Sequence, residues 1–244
     1  MKVGYLISCL LTMPAKNSIK MYVKNGYYHL YNRGVNKAPI FFEESDYKMF
    51  LFLIKLYLSN PSTSKKLILE NSTKHLYFPK NFYTKLSIVA FVLMPNHFHL
   101  LVHQTEARTI EGFMRALNIK YAMYCKKKYD RTGHLFQGSY KGVLIEHDNY
   151  LLQVSRYIHR NPDDLDYRKL VFSKTWDSYK NYPFSSYSWY VQCKKLEWFD
   201  PTPIMQFYAL TQQSKPTERR SYEYFVKNYR KSSHKSLKRI LLDS

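Results

Sequence analysis

The apolar positions fall into short patterned runs, each suggesting one element. Asn25 to Arg33 (NGYYHLYNR) is rich in Tyr and partly alternating, which predicts a strand. Glu43 to Leu58 carries Met49, Phe50, Leu53, Ile54 and Tyr57 at helical spacing. Asp46 lies near the start of that helix, where a carboxylate suits the helix dipole. Asn60-Pro61 stops the pattern, and residues 61–84 show no clear period, so an insertion or loop is expected there. Lys85 to Met94 (KLSIVAFVLM) is almost continuously apolar, as a central strand is. Pro95-Asn96 signals a turn, and His97 to His103 (HFHLLVH) returns as a second, antiparallel strand. Thr109 to Lys127 places Ile110, Phe113, Met114, Leu117, Tyr121 and Tyr124 on one helical stripe, broken by Arg131-Thr132-Gly133. His134 to Ile145 reads as a strand or bent hairpin arm. Asp148 is the expected N-cap of a helix running to about Asn161, which Pro162 ends because the residue before proline disfavours the α region.

This β-α-β-β-α-β-α order predicts an α+β chain. Its core would be a ferredoxin-like split βαβ antiparallel sheet with helices packed on one face. The main domain is expected over residues 13–162. A folded appendage of short helices follows over 163–210, and a basic helical or flexible extension over 211–244. Val3 to Met13 is apolar but far short of the about 20 residues that span a bilayer. No clean small-x-small cleavage pattern follows it, so residues 1–12 read as an upstream extension or disordered segment and Met13 as the start.

Charge narrows the choice of partner. Lys and Arg number 38 against 18 Asp and Glu, a net +20, which points to a polyanion. Lys215 to Arg239 alone holds nine Lys and Arg against two Glu, and this stretch, Arg219 and Arg220 included, could contact phosphates or be a solvated helix. The three cysteines form no C-x-x-C, so neither a disulfide framework nor a zinc ribbon is supported, and a reducing, cytoplasmic setting is expected. No phosphate-binding G-x-x-x-x-G-K-[ST] loop is present.

Candidate chemistry sits in two places. His97 and His99 are two apart on a predicted strand, so both imidazoles face one way while Phe98 faces the other. Such a pair can hold a divalent ion, although H-x-H alone is weak evidence in a chain with nine histidines. Tyr157 and Asn161 lie one helical turn apart on the same side. A tyrosine hydroxyl can attack a polarised phosphate, and the Asn161 amide oxygen is a reasonable third ligand for Mg2+ or Mn2+. Spacing alone favours packing for Tyr157 and a helix-end role for Asn161. Attack by tyrosine on phosphorus would leave a phosphotyrosine and a free 3′ hydroxyl, with no need for ATP.

Four ordered segments carry a resemblance: MPNHFHLLV at Met94–Val102, YYHLYNRGVNKAPIFFEESDYKMFL at Tyr27–Leu51, GHLFQGSYKGVLIEHDNYLLQVSRYIHRNP at Gly133–Pro162 and YPFSSYSWY at Tyr182–Tyr190. They resemble the REP-associated tyrosine transposases, a branch of the HUH single-strand DNA transposases with an IS200-like transposase domain. The resemblance runs from about Met13 to Tyr190 and implies the HUH endonuclease fold. It implies that His97 and His99 bind the metal, that Tyr157 is the nucleophile and that Asn161 stands where related transposases carry a Gln ligand. It further implies a Mg2+- or Mn2+-dependent nuclease and strand transferase acting on single-stranded DNA. The expected partner is a hairpin of the REP-like palindromic kind, held by a monomer or a homodimer without membrane attachment. The chain departs from the pattern at Ser139, usually a basic residue, and in NPDDLDY after the helix.

Further expectations are looser. Arg33 could grip a phosphate or flipped base or be a plain surface arginine, Gln137 and Lys141 could contact DNA, and Glu146 could assist the metal electrostatically, although an exposed strand-end carboxylate is the simpler account. His29, His103, His134 and His159 are expected to be packed or surface histidines. The alternatives are a hairpin-binding regulator without catalysis and a rolling-circle-type HUH replication initiator; the motif order and RYIHRNP disfavour the latter.

Overall fold

The structure, a computed structural model, describes residues 22–71, 80–165, 178–212 and 221–228. Strand β1 (Gly26–Arg33) leads into helices α1 (Glu44–Leu58) and α2 (Pro61–Asn71). Strands β2 (Leu86–Met94) and β3 (His97–Gln104) form a hairpin, followed by α3 (Thr109–Tyr129), β4 (Lys141–Ile145) and α4 (Asp148–Arg160). Short helices α5 (Tyr187–Val191), α6 (Thr202–Gln212) and α7 (Tyr222–Lys227) complete the described part. The four strands run in the order β2-β3-β1-β4, with β3 antiparallel to β1 and β2, and β4 antiparallel to β1. That is the sheet of the split βαβ arrangement expected from the element order.

Alternation along β3 assigns the two faces. Phe98 points to the side covered by α1 and α3, its ring 5.1 Å from Phe50, which meets Tyr121 of α3 edge-on at 5.0 Å. The two crossover helices therefore share one face, as expected. His97 and His99 point to the other side, where α4 lies across β2, β3 and β4. The outer edge of β2 is covered by the segment after α4. Leu93 N–H donates to Phe184 O (2.8 Å) and Ser186 N–H to Phe91 O (3.0 Å), which removes an exposed sheet edge.

Three local expectations are corrected. Residues 61–71 form α2 rather than a loop: Pro61 occupies the first helical position and Asn60 Oδ1 accepts from Thr63 N–H (2.9 Å), so the dipeptide that stops α1 starts the next helix. Only Lys141–Ile145 of the run 134–145 is strand; before it, Phe136 makes a single bridge to Gly34. Asp148 is the first residue of α4 and His147 its N-cap, while Asn161–Asp164 continue as one 3-10 turn that carries Pro162 near its start. The proposed start at Met13, the segment 1–12 and most of the basic extension lie outside the described residues.

Candidate active site

The face of the sheet beneath α4 brings four of the expected residues together in one chain. Met94 pairs with His97 across the Pro95-Asn96 turn, so both histidines sit at the turn end of β3. His97 Nδ1 is 2.6 Å from Asn96 Oδ1, leaving the far side of the ring, Nε2, 3.1 Å from Asn161 Oδ1. The rings of His97 and His99 are 5.0 Å apart and nearly perpendicular. Tyr157 comes down from α4 with its ring edge-on to His99 at 5.3 Å. His97, His99, Tyr157 and Asn161 are all buried.

His99 is the most constrained of the set. Its Nδ1 lies 2.9 Å from His29 Nε2, and the two rings stack at 5.0 Å. Its Nε2 is buried and, among the described residues, has no hydrogen-bond partner. Burial, together with the nearby His97, His29 and Arg33, holds the His99 pKa well below the ordinary histidine value, so the ring is neutral at physiological pH. A neutral imidazole with an unmatched ring nitrogen is a suitable metal donor. Two imidazoles and one amide oxygen thus fit a divalent ion. At 3.1 Å, His97 Nε2 and Asn161 Oδ1 are near enough that both would reach one divalent ion. Among the described residues, no cluster of three His, Cys, Asp or Glu could hold a metal, so any site here depends on the amide.

Register places Arg33 opposite His97 and Tyr31 opposite His99. Beside them is a cavity of about 450 Å3 lined by Tyr31, Asn32, Arg33, Gln137, Gly138, Ser139 and Lys141. All three of the looser DNA-contact candidates among the described residues, Arg33, Gln137 and Lys141, therefore line one hollow. The loop is tied to β1 by Gln137 N–H donating to Arg33 O (2.9 Å) and by Asn32 Nδ2 donating to Gly138 O (3.1 Å). Gly34 lets the chain turn tightly after Arg33: a Cβ there would stand 2.1 Å from Ala38 O.

Glu146 is not at the site. It is exposed and follows Ile145, which pairs with Tyr27, at the end of β1 opposite His97. Six residues of strand separate the two ends, about 20 Å at the usual rise, too far for electrostatic assistance to an ion. Arg219 and Arg220 lie outside the described residues. His159 is packed, as expected, with Nδ1 2.8 Å from Tyr222 Oη and Nε2 2.8 Å from Ser186 Oγ. His134 is exposed, and His103 packs against Tyr27 with the ring centres 4.6 Å apart and the planes tilted. His29 is packed too, yet it touches the site, and only the β1–β3 register reveals it.

Residues 69–161 match the family model described as transposase IS200 like. That segment is therefore similar to the IS200-like transposases. It spans β2 to α4 and so contains His97, His99, Tyr157 and Asn161. No curated protein sequence matches the chain. Among solved structures, a REP-associated tyrosine transposase bound to a REP hairpin aligns at 15% identity over 75% of this chain and 92% of that one, with a TM-score of 0.47. A protein classed as a transposase from Deinococcus radiodurans R1 aligns at 19% identity over 57% of this chain and 92% of that one, with a TM-score of 0.34. Among the described residues no helix is long and apolar enough to cross a membrane.

Proposed function

We propose that this transposase-like chain cleaves and rejoins single-stranded DNA beside a hairpin, with Tyr157 as nucleophile and a divalent ion held by His97, His99 and Asn161. The observation that carries the reading is the approach of Asn161 Oδ1 to His97 Nε2 at 3.1 Å, with Tyr157 against His99 on the same face.

When bound, the ion would polarise the scissile phosphate and offset the charge that develops on it. Tyr157 Oη attacks phosphorus in line and the bond to the 3′ oxygen breaks. The phenol proton ends on the departing 3′ hydroxyl, and a 5′-phosphotyrosine remains. A 3′ hydroxyl from another strand reverses the step, so bond energy is conserved. Unperturbed tyrosine ionises near pH 10, so the proton must be drawn off as attack proceeds. Arg33 and Lys141, which line the cavity, would hold phosphates of the strand, and Gln137 would offer hydrogen bonds to a base or sugar. Two imidazoles favour Mn2+ over Mg2+, which prefers an all-oxygen shell.

The test uses a labelled single strand carrying the palindrome that flanks the gene, with Mn2+, Mg2+ or EDTA. Cleavage beside the hairpin that requires metal supports the reading. Hairpin binding with no cleavage under any metal would replace the enzyme with a non-catalytic regulator.

A further inference from the structure

His29 lies at the middle of β1, fully buried, on the same face as His97 and His99. Its Nε2 is 2.9 Å from His99 Nδ1, its ring stacks on His99 at 5.0 Å and it meets Tyr157 edge-on at 6.1 Å. One histidine therefore touches both a candidate ligand and the candidate nucleophile.

One proton occupies the hydrogen bond between the two rings, and its owner decides what His99 offers on its other side. If His29 donates, His99 carries its proton on Nε2, an N–H buried in the site with no acceptor among the described residues. If His99 donates through Nδ1, its Nε2 is a bare lone pair. A buried N–H without an acceptor is the rarer and costlier orphan. The second arrangement is favoured, and it is the one in which His99 can bind a cation.

We propose that His29 is a positioning residue, which accepts the Nδ1 proton of His99 and so fixes the tautomer and ring plane that turn His99 Nε2 toward a divalent cation. The inference rests on the metal reading given above. His29 is not itself a ligand, because its Nε2 is engaged by His99 and no three-residue His, Cys, Asp or Glu cluster able to hold a metal exists among the described residues. An outer partner of this kind commonly sets the orientation and basicity of a ligating histidine.

The test has two readouts on the full chain. Histidine-ring 15N spectra of the metal-free protein report the tautomer, and Mn2+ titration followed by electron paramagnetic resonance reports affinity. Wild type should show His99 as the Nδ1–H tautomer. His29→Leu, which keeps bulk but offers no acceptor, should lose that pattern and weaken Mn2+ binding about ten- to hundredfold. His29→Gln, whose amide oxygen can accept the proton, should recover most of both. A wild-type His99 protonated on Nε2 overturns the proposal whether or not any variant folds, and so does unchanged Mn2+ affinity in a folded His29→Leu. The expected tautomer with no Mn2+ binding by wild type would defeat the metal reading itself, and the spectra distinguish that failure from the others.

Discussion

His97 Nε2 and Asn161 Oδ1 meet at 3.1 Å although 64 positions separate them in the chain. One residue comes from the start of β3 and the other from the turn that extends α4, so sheet and helix must dock correctly for the pair to exist. Asn161 supplies one of three donors. Asn161→Ala should raise the Mn2+ concentration for half-maximal cleavage by about tenfold, a loss of about 1.4 kcal/mol. Asn161→Asp, which keeps an oxygen donor at the same reach, should restore metal dependence. Equal Mn2+ requirements in wild type and Asn161→Ala would remove Asn161 from the ligand set.

Arg33 lines the cavity beside the histidines. If it holds one phosphate, Arg33→Ala should weaken binding of the single strand and lower the slope of log affinity against log salt by about 0.7. Titrations at several salt concentrations measure this. A weaker affinity with an unchanged slope would assign Arg33 to base contact instead.

Asp46 anchors the start of α1 against the end of α3. Its side chain is fully buried and accepts from Lys128 Nζ (2.8 Å), Tyr124 Oη (2.9 Å), Tyr129 Oη (2.7 Å) and the Phe42 and Glu43 amides. Burial alone would raise its pKa; the Lys128 ammonium, the Tyr129 hydroxyl and the two amides outweigh it and hold the carboxyl below the ordinary value. The stability it contributes is therefore present above about pH 4, the unfolded value, and is lost as pH falls through the lower folded value. Asp46→Asn should cost about 2 kcal/mol, because the amide nitrogen cannot accept the hydrogen bonds that the second carboxylate oxygen takes and Lys128 keeps only Glu43 as a carboxylate partner. Urea unfolding at pH 7 checks the magnitude, and a variant as stable as wild type would contradict it.

His159 ties α4 to the segments that follow it. Full burial lowers its pKa to about 3, and both ring nitrogens are engaged by Tyr222 and Ser186. A neutral folded histidine with an ordinary unfolded one gives stability that is complete above about pH 6.5 and lost below it, by about 1.4 kcal/mol per pH unit down to the folded value. The unfolding free energy measured from pH 7 to pH 4 should fall at least that steeply, since burial holds His99 neutral as well, and His159→Gln should lessen the slope by about 1.4 kcal/mol per pH unit. An unchanged profile in His159→Gln would assign the acid sensitivity elsewhere.

The parts legible in the sequence were those fixed by local period. Alternation and the Pro95-Asn96 turn gave the β2–β3 hairpin and set His97 and His99 on one face, and helical spacing put Tyr157 and Asn161 on one side of α4. Helix α2 escaped because its pattern is weakly amphipathic and its start is marked only by Asn60 and Pro61. The run 134–140 misled because Leu135 is buried and Phe136 is partly buried against the core, apolar positions that pack without a strand ladder. His29 was hidden for a different reason: its contact with His99 depends on how β1 and β3 register, a relation between distant segments that no local pattern carries. For Glu146 the simpler reading, an exposed carboxylate at a strand end, is the one the structure shows, since strand direction sets it at the end of β4 away from the histidines.

The chain contains 24 tyrosines, and the account commits to one of them. The direct measurement is to trap the protein with a labelled hairpin-bearing single strand and Mn2+, digest the covalent product and identify the modified peptide by mass spectrometry. The account predicts a nucleotide joined through its 5′ phosphate to Tyr157, absent with EDTA and absent in Tyr157→Phe. A nucleotide on any other residue, or strand cleavage that proceeds undiminished in Tyr157→Phe, would contradict it.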